Sequence, residues 1–367
     1  MELLRFAVRV PRKRIIVTGL DRASRAPVPL PALHRRPFLK STPMPKILYA
    51  DNDYPDIELE RALFSKAGID LVVTQCKTED DLIQHGKGCS AILLQYAPIT
   101  ARVLAALPEV GIVSRIGAGY DTVDTEACEK AGVWVGNSPD YGVGEVSTHA
   151  LAMALASIRN IVAYHRDIAS GQWHFLSSGT LPRPASLTLG IVGLGRIGKR
   201  MAHISRNVFK RVVAYDPYII DGDFPAYVER EATLEGLARQ ADIVSLHTPL
   251  TKETRGMIGA KFFGAMKKGT YFVNTARGAI VNVPDLLAAL DAGIVATAGL
   301  DVLPEEPIAR DSALLTHPRV ILSPHAAFYS VEAERELRRK AAQNIVSWHA
   351  SGRPEYVVVR GTRAPAR

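Results

Sequence analysis

From Lys46 onward, short apolar runs alternate with stretches of helical period. Ile47-Leu-Tyr-Ala50, Leu71-Val-Val73, Ala91-Ile-Leu-Leu94, Gly111-Ile-Val113 and Val133-Trp-Val135 read as strands, with helices near residues 56 to 67, 79 to 85, 100 to 106 and 123 to 131 between them. Runs that stay apolar at successive positions belong to strands buried on both faces, so the region predicts a parallel sheet with helices on each side. One long helix is then expected from Gly144 to about Ser170, with Glu145, Ser147 and His149 set against Ala, Leu and Met positions and Gly171 at its end. After an irregular stretch holding Pro182 and Pro184, a second series begins at Leu187. Its strands are Leu189-Gly-Ile-Val192, Val212-Val-Ala-Tyr215, Ile243-Val-Ser-Leu246, Tyr271-Phe-Val273, Ala298-Gly-Leu300 and Val320-Ile-Leu322. A last helix, Val331 to about Ala350, stops at Ser351-Gly-Arg-Pro354. The pattern predicts an α/β chain with two sheets.

Composition changes this picture little. The 367 residues are 47% hydrophobic and 22% charged, as in an ordinary globular protein, and no run approaches the ~18 apolar residues of a membrane span. Charge is more informative. The first 43 residues carry ten Lys or Arg against Glu2 and Asp21, so the whole net charge of +8 lies in a proline-rich leader and the body is neutral. That argues against nucleic acid as a partner of the body. Three readings of the leader stay open: an organelle-targeting segment, a disordered basic arm, or an extension upstream of the start at Met44. Cys76, Cys89 and Cys128 are sparse and unclustered, which points to a reducing, cytoplasmic setting and to neither structural zinc nor a disulfide framework.

Two groups of residues carry candidate chemistry. In Gly193-Leu-Gly195-Arg-Ile-Gly198 a G-x-G-x-x-G follows an apolar strand and opens an amphipathic helix. Gly193 permits a tight turn, Gly195 lets a pyrophosphate approach the helix N-terminus, and Gly198 lets helix and strand pack closely. Asp216, at the end of the next strand, is placed to accept from a ribose diol and to repel a 2′-phosphate, which favours NAD over NADP. The second group falls just after later strands: Arg277-Gly278, Asp301 through Glu305-Glu306-Pro307, and Ser323-Pro-His325. Arginine offers a fixed fork for a carboxylate, histidine a proton near neutral pH, and glutamate a group to orient the histidine. Together they suit hydride transfer to a 2-keto acid.

These motifs, with Arg115-Ile-Gly-Ala-Gly-Tyr-Asp-Thr-Val-Asp124, His247-Thr-Pro-Leu-Thr251 and Asn274-Thr-Ala-Arg-Gly278, carry a resemblance to the D-isomer-specific 2-hydroxyacid dehydrogenase family from about Met44 to Gly352. The resemblance implies a Rossmann NAD-binding domain, residues 143–325, inserted into a flavodoxin-like substrate domain, residues 44–142 and 326–360. It places the family's arginine on Arg277, its glutamate on Glu306 and its histidine on His325. It assigns substrate contacts to Gly117, Ala118, Gly119 and Phe328, and cofactor contacts to Gly193, Gly195, Arg196, Ile197, Gly198, Asp216, Thr248, Thr254, Thr275, Ala276 and Asp301. A homodimer joined through the NAD-binding domain is also implied. The segment His325-Ala-Ala-Phe-Tyr-Ser330 resembles the branch of the C-terminal binding proteins, in which an NAD(H)-responsive corepressor role is the alternative to turnover; that branch has tryptophan where Phe328 stands.

Overall fold

The computed structural model describes residues 44 to 365, so the basic leader lies outside the described residues. The first sheet draws on β1 (Lys46–Tyr49), β2 (Asp70–Val73), β3 (Ala91–Leu94), β4 (Ile112–Arg115) and β5 (Trp134–Gly136). Its connecting helices are α1 (Glu58–Lys66), α2 (Glu79–His85), α3 (Ala101–Ala106) and α4 (Thr125–Ala131). Local chemistry sets several of these ends. Thr78 and Asp81 form a reciprocal capping box at α2, the Asp124 carboxylate caps α4, and Gly132, at φ 70°, stops α4.

The chain then passes through α5 (Val143–Ile158) and α6 (Ile161–Ala169). The single long helix expected here is broken, with α5 and α6 bent by 55°. The cause is Asn160, which takes the left-handed conformation at φ 51° and donates its side-chain amide to the Ser178 carbonyl oxygen at 2.8 Å. Asparagine tolerates that conformation, and a polar side chain tied to a distant loop outcompetes helix continuation. No single helix among the described residues is long and apolar enough to cross a membrane.

The second sheet holds β6 (Thr188–Val192), β7 (Arg211–Tyr215), β8 (Val228–Arg230), β9 (Ile243–Leu246), β10 (Thr270–Asn274), β11 (Val295–Leu300) and β12 (Val320–Leu322). Between them run α7 (Arg196–Ser205), α8 (Leu234–Gln240), α9 (Ala260–Ala265), α10 (Val283–Asp291) and α11 (Ala313–Thr316). The chain finally returns to the first sheet as α12 (Val331–Ser351) and β13 (Val357–Val359).

The strand orders are β13-β5-β4-β3-β1-β2 and β12-β11-β10-β9-β6-β7-β8. The five leading strands of the first sheet follow the 2-1-3-4-5 doubly wound order, and the second sheet follows the 3-2-1-4-5-6 dinucleotide-binding order with one strand added. The first sheet departs from the expected all-parallel arrangement at one edge, where β13 pairs antiparallel with β5. Neither β8 nor β13 is expected from sequence, because each is three residues long at a sheet edge.

Both faces of each sheet are covered, which explains the unbroken apolar strands. Leu48, Ile92, Leu94 and Val113 meet Leu82 of α2, Val103 of α3 and Cys128 of α4, while Ile47, Tyr49, Leu93 and Ile112 face Leu337, Ala341, Ile345 and Trp348 of α12. In the second sheet, Val213, Val244 and Phe272 pack under α8, α9 and α10, and Leu189, Ile191 and Val273 pack under α5 and α7. Cys76, Cys89 and Cys128 are buried free thiols, and burial pushes that of Cys128 up to about 12.

Candidate active site

Beyond the carboxyl end of β6 the chain turns at Gly193, whose φ of 90° excludes ordinary side chains. A Cβ on Gly198 would lie 2.1 Å from the Gly193 carbonyl oxygen, whereas one on Gly195 would meet nothing within 4 Å. Gly198 therefore seats α7 against the turn, and Gly195 leaves the N-terminus of α7 open to approach. No side chain caps that N-terminus, so its first N–H groups are available to an anion. Arg196 leans away to an ion pair with Asp140, Nε to Oδ1 2.8 Å, and Ile197 is half-buried beside it.

The other residues expected around a dinucleotide lie at neighbouring strand ends. Asp216, just past β7, accepts the Leu194 N–H on Oδ2 at 2.8 Å and the Tyr218 N–H on Oδ1 at 2.9 Å. Each oxygen keeps a further lone pair for a ribose diol. Thr248 follows β9, and the Thr254 hydroxyl closes the next turn by donating to the Pro249 carbonyl oxygen at 2.8 Å. Thr275 is buried after β10 with a hydroxyl that has no protein partner, and the Ala276 N–H donates to Asn274 Oδ1 at 3.0 Å. An open glycine turn, a free helix N-terminus, a fixed carboxylate and an orphaned hydroxyl together fit NAD.

Asp301 directly follows β11 and is buried. It is 2% exposed and directs its carboxylate into the loop that follows β12. Oδ1 accepts from the Ser323 hydroxyl at 2.5 Å and the Ala326 N–H at 2.9 Å, and Oδ2 accepts from the Ala327 N–H at 3.0 Å. His149 of α5 reaches the same cluster, with Nε2 3.0 Å from Ser323 Oγ. The loop is thus wound around a buried carboxylate, and His325 is held at φ 53°, an uncommon conformation for a non-glycine residue. Its Nδ1 lies 2.7 Å from Glu306 Oε2, and among the described residues no protein group hydrogen-bonds its Nε2. Glu305 takes no part in this pair.

Glu306 is half-buried, and burial alone would raise its pKa. The His325 hydrogen bond, the Leu303 N–H at 2.8 Å and the charges of His325 and Arg277 outweigh burial and hold it below the usual carboxylate range.

Arg277 opens the turn after β10, and its side chain crosses to the first sheet. Its Nε donates to Asp121 Oδ1 at 3.0 Å and its Nη1 to the Ala276 carbonyl oxygen at 2.8 Å. A Cβ on Gly119 would lie 1.6 Å from Arg277 Nη2, so only glycine lets the guanidinium lie there. The Gly117 N–H turns back onto the Arg115 carbonyl oxygen at 3.0 Å. The backbone nest therefore narrows from the expected Gly117-Ala118-Gly119 to the N–H groups of Ala118 and Gly119. Phe328 stands edge-on to His325 and to Tyr141, with ring centroids 6.4 Å and 6.0 Å away.

The structure thus gathers Arg277, Glu306, His325, Gly119 and Phe328 into one cleft between the sheets, with the glycine turn on the second sheet. It also adds residues that sequence reasoning passed over. Arg115 and Asp121 flank the glycine nest, and Tyr141 lies near the two arginines. Their signal is present in Arg115-Ile-Gly-Ala-Gly-Tyr-Asp121, where charged residues bracket the glycines. Tyr141 carries none, because spacing does not say which loops converge.

Comparison with known proteins identifies the family. The family described as D-isomer specific 2-hydroxyacid dehydrogenase, NAD binding domain, matches residues 151–327. A glyoxylate reductase of Korarchaeum cryptofilum is 36% identical over 282 residues, which is 76% of this chain and 85% of that protein. A glycerate dehydrogenase of Methylorubrum extorquens is 31% identical over 289 residues, 77% of this chain and 89% of that protein. A crystal structure of D-lactate dehydrogenase from Aquifex aeolicus, complexed with NAD and lactic acid, superimposes with a TM-score of 0.77 at 25% identity, covering 86% of this chain and 100% of that one. With this cleft and these relatives, the chain belongs to the D-isomer specific 2-hydroxyacid dehydrogenases and is an NAD-dependent oxidoreductase of 2-hydroxy acids.

Proposed function

We propose that the protein reduces a small 2-keto acid, of the glyoxylate, hydroxypyruvate or pyruvate type, to the D-2-hydroxy acid, and catalyses the reverse oxidation. NADH, when bound, supplies the hydride to the carbonyl carbon. Arg277, with the N–H groups of Ala118 and Gly119, holds the substrate carboxylate and polarises the carbonyl. His325 gives the proton at Nε2 to the carbonyl oxygen, while Glu306 fixes the ring through Nδ1 and stabilises the imidazolium. The observation that carries this reading is the 2.7 Å His325–Glu306 pair standing within the field of Arg277.

Residues 44–142 and 326–360 act in this reading as the substrate domain, and residues 143–325 as the NAD-binding domain. We further infer a homodimer through the NAD-binding domain. Ile161 and Ile168 of α6, with Trp173, Phe175 and Leu176 after it, form an exposed apolar group in which Trp173 is 88% accessible. A Trp173→Glu, Phe175→Glu double variant should elute as a monomer where the parent elutes as a dimer.

The test of the reaction is NADH oxidation with glyoxylate, hydroxypyruvate, pyruvate and longer keto acids. His325→Ala should lose on the order of 10²-fold or more in kcat. A loss within tenfold would remove His325 as the proton donor, whereas tight NADH binding with no turnover of any keto acid would favour an NAD(H)-responsive binding protein instead.

A further inference from the structure

The cleft contains a second guanidinium and a carboxylate that the proton relay and the carboxylate anchor leave unassigned. Arg115 ends β4, its Nε donates to the Gln95 carbonyl oxygen at 3.2 Å, and a Cβ on Gly117 would lie 1.2 Å from its Nη1. Among the described residues it forms no ion pair with a carboxylate within 4.0 Å. Burial, followed by the like charge of Arg277, pulls the Arg115 pKa down, so the two guanidiniums lie close enough to repel. The carboxylate between them and solvent is Asp121. It bonds Arg277 directly, and about a third of its side chain, 35%, stays accessible. Burial would raise the Asp121 pKa, but Arg277, hydrogen bonds and Arg115 together hold it low, so it is ionised wherever the enzyme works.

Counting formal charge in this shell gives a simple result. Asp51, buried behind Arg115, is turned to the N–H groups of Gln95, Tyr96 and Ala97, and burial raises its pKa. Of the groups facing the substrate, Arg115 and Arg277 are balanced by Asp121 and Glu306, and the proton that His325 must carry for reduction adds one positive charge. One substrate carboxylate neutralises that charge. A second would leave a net negative charge beside the rings of Tyr141 and Phe328, where charge is poorly solvated. We propose that Asp121 is a specificity-determining residue that limits the enzyme to 2-keto acids bearing a single carboxylate, by holding Arg277 at Nε and cancelling one of the two guanidinium charges. This rests on the keto-acid reading above.

Asp121→Asn tests the idea cleanly, because the amide oxygen can still accept from Arg277 Nε while the negative charge disappears. Steady-state NADH oxidation is measured with two pairs of substrates in which a methyl is replaced by a carboxylate: pyruvate against ketomalonate, and 2-oxovalerate against 2-oxoglutarate. The parent enzyme should prefer the monocarboxylate of each pair. Asp121→Asn should shift the ratio of kcat/KM toward the dicarboxylate by at least tenfold, chiefly through KM, whereas Asp121→Glu should keep the parental preference. A merely structural role would lower both members together. An unchanged ratio in Asp121→Asn, or a reversed preference in Asp121→Glu, overturns the role of Asp121 and leaves the keto-acid reading intact. Failure of the parent to reduce any of the four, with glyoxylate and hydroxypyruvate equally inert, overturns both.

Discussion

His325 reaches the cleft because the loop that carries it is wound on the buried Asp301 carboxylate. Its positive φ carries a cost of about 1–3 kcal/mol, which the hydrogen bonds converging on Asp301 offset. Asp301→Ala would leave the Ala326 and Ala327 N–H groups without their acceptor, with a stability loss of about 1–3 kcal/mol. Its kcat should fall more than its KM rises, which steady-state kinetics and a denaturant titration would show together. Glu306 gives a pH test. Its folded pKa is depressed, so its contribution to stability is present above the ordinary carboxylate range and is lost as pH falls through the lower folded value. Glu306→Gln should therefore flatten the acid limb of stability. It should also move the alkaline limb of keto-acid reduction to lower pH, because the imidazolium loses its ionised partner. The roles proposed for Arg277, Glu306 and His325 are legible in sequence because each follows a strand in a recognisable motif. Asp301 as a loop anchor, and Asp121 as a partner of Arg277, are not, since both depend on a contact between segments at least 22 positions apart.

At the scale of elements, α12 is held to α1 by a buried ion pair. Arg338 donates from Nε and Nη2 to the two oxygens of Glu60, each at 2.8 Å, and Glu60 is wholly buried. Removing Arg338 would strand the buried Glu60 carboxylate, so Arg338→Ala should cost about 3–5 kcal/mol, whereas Glu60→Ala should cost less because Arg338 keeps its ion pair with Glu334 at 2.9 Å. Glu60→Leu with Arg338→Met should come close to the parent in a thermal melt, because desolvation offsets most of the attraction of such a pair. From sequence both residues look like solvated positions on amphipathic helices. The same difficulty hides the break at Asn160, where helical period continues on both sides, and the edge strands β8 and β13, which are too short to show a period. The central strands were readable because each is apolar throughout and bounded by helical stretches.

In the whole molecule, Asp121–Arg277, Asp140–Arg196 and Glu126–Lys252 link residues before α5 to residues of the second sheet. The last of these is the most exposed, at 69% and 87%, and pairs of that kind contribute about 0–1 kcal/mol. The order of the chain matters more. The second sheet, from β6 to β12, is one uninterrupted segment, whereas the first sheet gains α12 and β13 only after that segment has passed. During synthesis the dinucleotide fold can therefore assemble on its own schedule, while Ile47, Tyr49, Leu93 and Ile112 wait for Trp348 and its neighbours to emerge. The half of the molecule made first is the half finished last, and its uncovered sheet face is what a nascent-chain chaperone would meet on the ribosome.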